Sequence, residues 1–99
     1  MIQINANESK VLEALVESSR GNGHDFGWAD DIRVDGFSKH QVAGYISALV
    51  TKDLIRICDD EYRQTNVRPG AIKFFEADYN YNPGIWKEDE AWIGISVKA

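Results

Sequence analysis

The residues of this chain with the greatest capacity to bind a ligand lie on the outer face of one amphipathic helix, Ser38 to Lys52. Wound at about 100° per residue, the helix collects on this face the side chains of His40, Gln41, Gly44, Ser47, Ala48 and Thr51. None of them is acidic, whereas exposed helix faces usually carry Glu and Lys. Small and hydrogen-bonding side chains allow close approach to another surface, and the groove of duplex DNA is the leading candidate.

A helix lying in the major groove would divide its contacts between bases and phosphates. Gln41 and Ser47 are placed to read base edges, and cations on either side would contact the backbone. The arginines beyond the helix either reach phosphates as well or neutralise the acidic run Asp59–Glu61, and the sequence leaves both alternatives open. The predicted DNA-binding residues are Ser38, Lys39, His40, Gln41, Gly44, Ser47, Thr51, Lys52, Arg56, Arg63 and Arg68.

Side chains suited to catalysis or metal binding are few and poorly spaced. The soft metal ligands are His24, His40 and Cys58, with no CxxC, HxxxH or HExxH spacing. Asp30 and Asp31 are adjacent, so on a helix they would point about 100° apart and would not form a catalytic carboxylate pair. The sequence therefore predicts no catalytic residue, no metal, no cofactor and a protein that is not an enzyme.

Charge is unevenly distributed along the 99 residues, whose formal net charge is −5. Residues 1–37 carry three basic and seven acidic side chains, and residues 74–99 carry two basic and five acidic ones. Residues 38–73 carry six basic and four acidic side chains, so this is the only positive block. A net negative charge disfavours binding to the phosphates of DNA. The positive block, however, is the part of the chain expected to face DNA.

Apolar stripes define the helices that must position this face. Asn5 or Asn7 caps a first helix that ends near Gly21, followed by a connecting loop to Gly27. Its inward residues are Val11, Leu12, Leu15 and Val16. Trp28 to Arg33 is predicted as a short second helix, and Val34 to Phe37 as a turn with Gly36 at positive φ. The third helix, capped by Ser38, turns Val42, Ile46, Leu49 and Val50 inward.

The junction Tyr45 to Ile57 resembles the passage from recognition helix to wing in winged helix-turn-helix domains of the MarR-like type. The matching positions are the buried Leu49, the turn Lys52-Asp53, the apolar pair Leu54-Ile55 and the basic strand residue Arg56. Asp53 departs from the usual Gly, although Asp tolerates left-handed turn geometry. The resemblance is close over residues 38–57 and loose over 7–70.

This resemblance implies an α+β fold, with a three-helix core and a β-hairpin wing. The first wing strand is Leu54 to Cys58, the tip is Asp59 to Glu61, and the returning strand is Tyr62 to Asn66. Wing tips of DNA-binding relatives are commonly basic, so three acidic residues here argue against wing contact with phosphate. One domain over 1–99 is predicted, with its core at 7–70 and an extension at 71–99. The expected shared core is Val11, Leu15, Trp28, Ile32, Val42, Ile46, Leu49 and Ile57.

The C-terminal extension allows more than one interpretation. Pro69-Gly70 either opens a helix that places Ile72, Phe75 and Tyr79 on one face, or residues 72–79 continue the sheet. Residues 79–84 are turn-like, and residues 91–97 alternate as a strand does. The aromatic residues either cover the core, the favoured interpretation, or form a homodimer seam through Tyr79, Trp86 and Trp92.

Two functions follow from these features. The first is a small bacterial or phage-type DNA-binding protein, a transcriptional regulator that reads the major groove with helix 38–52. The second is an acidic winged-helix module that binds a protein, as a complex subunit or an inhibitor of a host factor, and does not bind DNA. No apolar run reaches the roughly 18 residues of a membrane span, and a single cysteine suits a reducing cytoplasm.

Overall fold

Helices and short strands alternate through residues 1–21, 26–58, 63–79 and 83–98, the parts of the chain that the computed structural model describes. The strands are β1 (Ile2–Ile4), β2 (Phe26–Trp28), β3 (Ile55–Ile57), β4 (Gln64–Val67) and β5 (Ile95–Val97). The helices are α1 (Ala6–Gly21), α2 (Lys39–Thr51), α3 (Pro69–Phe75) and α4 (Glu88–Ala91), with a 3₁₀ turn at Ala29–Asp31. This mixture is the α+β class that the sequence predicted.

Two small sheets hold the helices together. In the first, β4 lies between β2 and β3 and pairs antiparallel with both, so that Ile55 faces Val67 and Phe26 faces Asn66. The predicted hairpin strands are therefore present, although the tip at 59–62 lies outside the described residues. In the second sheet, β1 and β5 pair in parallel, with Ile2 opposite Ile95. This pairing joins the two ends of the chain.

The first helix begins at a reciprocal cap. The Asn5 side chain accepts a hydrogen bond from the Glu8 backbone N–H at 2.7 Å, and the Glu8 carboxylate accepts one from the Asn5 N–H at 2.8 Å. Two of the orphan donors at the helix start are thereby satisfied. The predicted inward stripe of α1 is confirmed, since Val11, Leu12, Leu15 and Val16 are all buried. The loop interior at 22–25 lies outside the described residues.

The α2 helix buries Val42, Ile46 and Leu49, as predicted. Val50 was also expected to face inward, and this was wrong, because its side chain is 40% exposed. Val50 lies about 80° around the helix from Val42, at the edge of the stripe rather than within it. Tyr45 is half-buried at the other edge, where its ring centroid lies 5.4 Å from that of Phe37.

The predicted second helix at 28–33 is largely replaced by other structure. Trp28 ends strand β2, where it pairs with Gln64, and one 3₁₀ turn follows. The Ala29 backbone N–H donates to the Arg63 carbonyl, and Trp28 has an extended backbone with φ of −119° and ψ of 119°, so pairing with the β4 side keeps the start of this segment out of a helix. Trp28 is consequently half-exposed and does not belong to the core. The predicted positive φ at Gly36 is confirmed, with φ of 86°.

One core unites the helices and both sheets. Of the predicted core residues, Val11, Leu15, Ile32, Val42, Ile46 and Leu49 are buried. Ile57 is half-buried and packs against this core. Residues that the sequence did not assign to it include Ile4, Leu54, Val67, Ala71, Ile72 and Ile95. The strands therefore supply much of the core to which the helices attach.

The residues after α3, the C-terminal segment (described over 76–79 and 83–98), fold back over the start of α3. Residues 69–75 form a helix rather than continuing the sheet, with Pro69 at its first position, where the missing N–H costs nothing. Gly70 lies so close to the C-terminal segment that a Cβ there would overlap the Ile93 carbonyl oxygen. Tyr79 and Trp86 are buried, which confirms that they cover the core. The predicted strand at 91–97 shortens to β5, because Ala91 ends α4.

Within the described ranges, no helix has both the length and the apolar character needed to cross a membrane.

Replacement of Leu49 tests the assignment of the α2 faces. Leu49 is fully buried, so Leu49→Ala should lower the free energy of unfolding by about 2–5 kcal/mol through lost burial and a residual cavity. Val50→Ala, one residue along and exposed, should change it by no more than about 0.5 kcal/mol. Urea denaturation followed by circular dichroism measures both. Equal losses at the two positions would contradict the assignment.

Candidate nucleic-acid interface

The outward face of α2 is exposed and carries no carboxylate. Its exposed side chains are those of Lys39, His40, Gln41, Ala43, Ser47, Val50 and Thr51, with Gly44 among them. Nothing lies within 4 Å of a Cβ built at Gly44, so the middle of this face is open. The structure thus brings the helical members of the predicted site together on one accessible surface.

Ser38 and Gln41 use some of their donor and acceptor groups to cap the start of α2. The Gln41 backbone N–H donates to Ser38 Oγ at 3.1 Å, and the Ser38 backbone N–H donates to Gln41 Oε1 at 2.7 Å. This capping box fixes the direction in which the helix leaves the turn. The Gln41 side-chain NH₂ and the Ser38 hydroxyl proton remain the groups available to an outside partner.

Lys52, predicted to contact phosphate, instead joins α2 to α1. Its Nζ lies 2.8 Å from Glu8 Oε1 and 3.2 Å from the Gln3 carbonyl oxygen. Burial raises the pKa of Glu8, but the hydrogen bonds from Lys52 and from the Asn5 N–H, with the lysine charge, lower it by more. The pKa of Glu8 therefore lies below its ordinary value near 4.5. The pair also fixes the C-terminal end of α2.

Arg56 is likewise held by neighbouring carboxylates. Its guanidinium forms two hydrogen bonds of 3.1 Å to Asp53 and one of 3.4 Å to Glu90, and its Cζ lies 3.9 Å from the Trp86 ring centroid. The hydrogen bond to Asp53 is the main cause that raises the pKa of Arg56. The prediction that Arg56 contacts DNA stays a prediction, but its charge is already neutralised on this surface.

The placement of Arg68 corrects the sequence prediction. Its side chain is buried, with Nε donating to the Glu90 carbonyl at 2.8 Å and Nη1 donating to the Asp53 carbonyl at 3.0 Å. A guanidinium used in this way cannot reach a phosphate without leaving the interior, which would leave carbonyls unpaired. Arg68 is therefore a structural residue that connects the turn after α2 to the C-terminal segment.

Three cations meet in a small cleft beside the N-terminal half of α2. Arg33 precedes the turn, Lys39 begins α2 and Arg63 begins the returning side of the hairpin. The cleft is lined by Ala29, Asp30, Ile32, Arg33, Lys39, Val42, Ala43, Ile46 and Arg63. Arg33 was missed by the sequence analysis, because only the fold brings it next to Arg63. This cleft carries a formal net charge of +2 and adjoins the exposed α2 face.

Among the described residues, no three His, Cys, Asp or Glu side chains lie close enough together to hold a metal ion. Comparisons of the chain with protein-family models, with curated proteins and with solved structures find no match. The exposed α2 face and the adjoining cationic cleft are therefore the features from which a function must be inferred.

The link between Glu8 and Lys52 makes stability depend on pH in a defined direction. Because the pKa of Glu8 is lowered by folding, its contribution is complete above about pH 4.5 and is lost as the pH falls through the folded value. Glu8→Gln should lower the free energy of unfolding at neutral pH by about 1–3 kcal/mol. That difference should shrink in acid, where the wild-type carboxyl is protonated.

Urea denaturation at several pH values measures this difference. Glu13→Gln, which removes an exposed carboxylate from the same helix, controls for the change in net charge. A difference between wild type and Glu8→Gln that is constant from neutral pH into acid would contradict the role assigned to the Glu8 carboxylate.

Proposed function

We propose that this chain is a winged helix-turn-helix domain that binds duplex DNA by placing the exposed face of α2 in the major groove. The order of elements supports the fold: α1, a short strand, a turn, α2, and then the antiparallel pair β3 and β4. In this proposal the 3₁₀ turn at Ala29–Asp31 replaces the usual second helix. The proposed role is that of a small transcriptional regulator.

A single observation carries the proposal: the exposed α2 face has no carboxylate and adjoins a cleft lined by three cations. Phosphates flank the major groove, so any carboxylate on an inserted helix face would be repelled. The Gln41 amide and the Ser47 hydroxyl lie on this face as groups able to bond base edges. Lys39 and Arg33 lie at the helix start, where the phosphate backbone borders the groove.

The internal ion pairs limit how strongly such a surface would bind. Lys52 and Arg56 are paired with carboxylates, and Arg68 is buried. Arg33, Lys39 and Arg63 line the cleft beside α2 and are the phosphate contacts of this proposal, although Arg63 also pairs with Asp30. About three contacts imply a slope near −3 for log affinity against log salt concentration. One module also covers only a half-site, so we propose that two copies bind a symmetric operator.

A protein-interaction module is the second candidate, and specific observations favour it. The chain has a net charge of −5, and its C-terminal segment exposes apolar side chains. Ile85 is 53% exposed and Trp92 is 36% exposed, although Tyr79 and Trp86 of the same segment are buried. Exposed aromatic and aliphatic residues are typical anchors of protein interfaces. This candidate requires no salt-dependent binding to DNA.

A charge placed at the middle of the α2 face tests the proposal. Wild-type protein should bind a random-sequence duplex at about 50 mM salt, with affinity falling as salt is raised. Ser47→Glu should weaken binding roughly tenfold or more, since a carboxylate about 4 Å from phosphate costs about 1–4 kcal/mol. Ser47→Gln, of the same length without the charge, should retain binding. Fluorescence anisotropy measures all three.

The outcome separates the two candidates. If the wild-type protein shows no binding to duplex at low salt up to high micromolar concentrations, the DNA proposal fails and a protein partner becomes the better hypothesis. If Ser47→Glu and Ser47→Gln bind equally well, DNA is bound by another surface.

A further inference from the structure

We propose that the cleft between Arg33, Lys39 and Arg63 takes one backbone phosphate of the duplex, and that Asp30 competes with that phosphate for Arg63. This inference rests on the proposed function, because it assigns a phosphodiester ligand to part of the same surface. Asp30 would therefore act as an internal inhibitor that weakens binding in the wild-type chain.

The ion pair between Arg63 and Asp30 lacks a well-directed hydrogen bond. Its Nε lies 3.0 Å from Asp30 Oδ1, close enough for an ion pair. The same Nε atom is buried and makes no well-directed hydrogen bond. A buried N–H donor without an aligned acceptor is unfavourable, so the pairing with Asp30 is poor. The Arg63 side chain is 41% exposed, so other N–H groups of the guanidinium remain accessible to an oxygen placed in the cleft. A phosphate oxygen supplies such an acceptor with a full negative charge.

The backbone holds Arg63 at this position despite an unfavourable conformation. Its φ is 53°, in the left-handed region that costs a side-chain-bearing residue about 1–2 kcal/mol. The Arg63 carbonyl accepts hydrogen bonds from the Ala29 N–H at 3.2 Å and from Thr65 Oγ1 at 3.0 Å. These bonds fix the residue between the 3₁₀ turn and β4. Glycine or asparagine would adopt this backbone more easily, but neither would carry a charge into the cleft.

The remaining cations give the cleft its preference for an anion. The Arg33 guanidinium is anchored by hydrogen bonds from Nη1 to the Asp30 and Ile32 carbonyls, at 3.0 and 2.9 Å. Its orientation is therefore set before any ligand arrives. Lys39 is exposed at the first position of α2 and makes no ion pair within the described residues. Among the described residues, Asp30 is the one carboxylate that lines the cleft beside these three cations.

Asp30 and Asp31 provide a matched pair for the test. Both are exposed, they are adjacent, and each loses one negative charge on conversion to Asn. Asp30 pairs with Arg63, whereas Asp31 neither lines the cleft nor makes an ion pair within the described residues. A gain at Asp30 above the gain at Asp31 therefore reports release of Arg63 rather than the change in net charge.

The experiment measures the affinity of a random-sequence duplex for wild type, Asp30→Asn, Asp31→Asn, Arg63→Gln and the double variant Asp30→Asn/Arg63→Gln. At about 50 mM salt, Asp30→Asn should bind about two- to fivefold more tightly than Asp31→Asn, the range in which an exposed ion pair contributes. Arg63→Gln should bind less tightly than wild type. In the Arg63→Gln background, the gain from Asp30→Asn should fall to the gain that Asp31→Asn gives in the wild-type background.

The measurements distinguish failure of this inference from failure of the proposed function. If wild type binds duplex but Asp30→Asn and Asp31→Asn have equal affinities, the internal competition is overturned and the DNA-binding proposal stands. If the gain at Asp30 still exceeds the gain at Asp31 without the Arg63 guanidinium, the assignment of Arg63 is overturned. If neither wild type nor any variant binds duplex, the proposed function fails and this inference fails with it. Circular dichroism of each variant establishes that it is folded.

Discussion

The buried guanidinium of Arg68 is the interaction on which the arrangement of the rest depends. It bonds the carbonyl of Asp53 in the turn after α2 and the carbonyl of Glu90 in the C-terminal segment, and the Trp86 ring centroid lies 5.3 Å from its Cζ. A buried guanidinium must be fully paired, because an unpaired charge in the interior costs several kcal/mol. The turn after α2 and the C-terminal segment must therefore fold together around it, and this links the end of α2 to the rest of the chain.

The same requirement for pairing determines the surface charge. Lys52 is neutralised by Glu8, and Arg56 is neutralised by Asp53 and Glu90, so these residues contribute little field outside the protein. Each such pair removes one cation and one anion, so the acidic excess of the whole chain is unchanged and only its distribution over the surface is altered. What remains near α2 is a face without carboxylates and one cleft where cations outnumber anions. A net charge counted along the sequence therefore describes this surface poorly.

The sequence predicted a helix correctly where its cap and apolar stripe are formed by residues close together in the chain. The cap at Asn5, the cap at Ser38 and the apolar stripes of α1 and α2 depend on residues three or four positions apart, and these predictions were confirmed except at Val50. The prediction of a helix at 28–33 was wrong because the structure of this segment depends on residues far along the chain. Its backbone is recruited by β4, more than thirty residues later, and tertiary pairing overrides a weak helical tendency in so short a segment.

The sequence by itself determined the positions of α1 and α2 and the absence of acidic residues from the outward face of α2, because each depends on periodicity or on neighbouring residues. The α+β class followed from the resemblance to winged helix-turn-helix domains. Only the tertiary structure decided which cations remain available. Lys52, Arg68 and Arg63 look equivalent in the sequence, yet Lys52 pairs with Glu8, 44 residues away, Arg68 is buried, and Arg63 lines the cleft beside α2, where it pairs with Asp30. Arg33 and Arg63 meet for the same reason. Ion pairing depends on distance in space, so spacing along the chain indicates only local pairs such as Arg56 and Asp53, three residues apart, and not those that form when the chain turns back on itself.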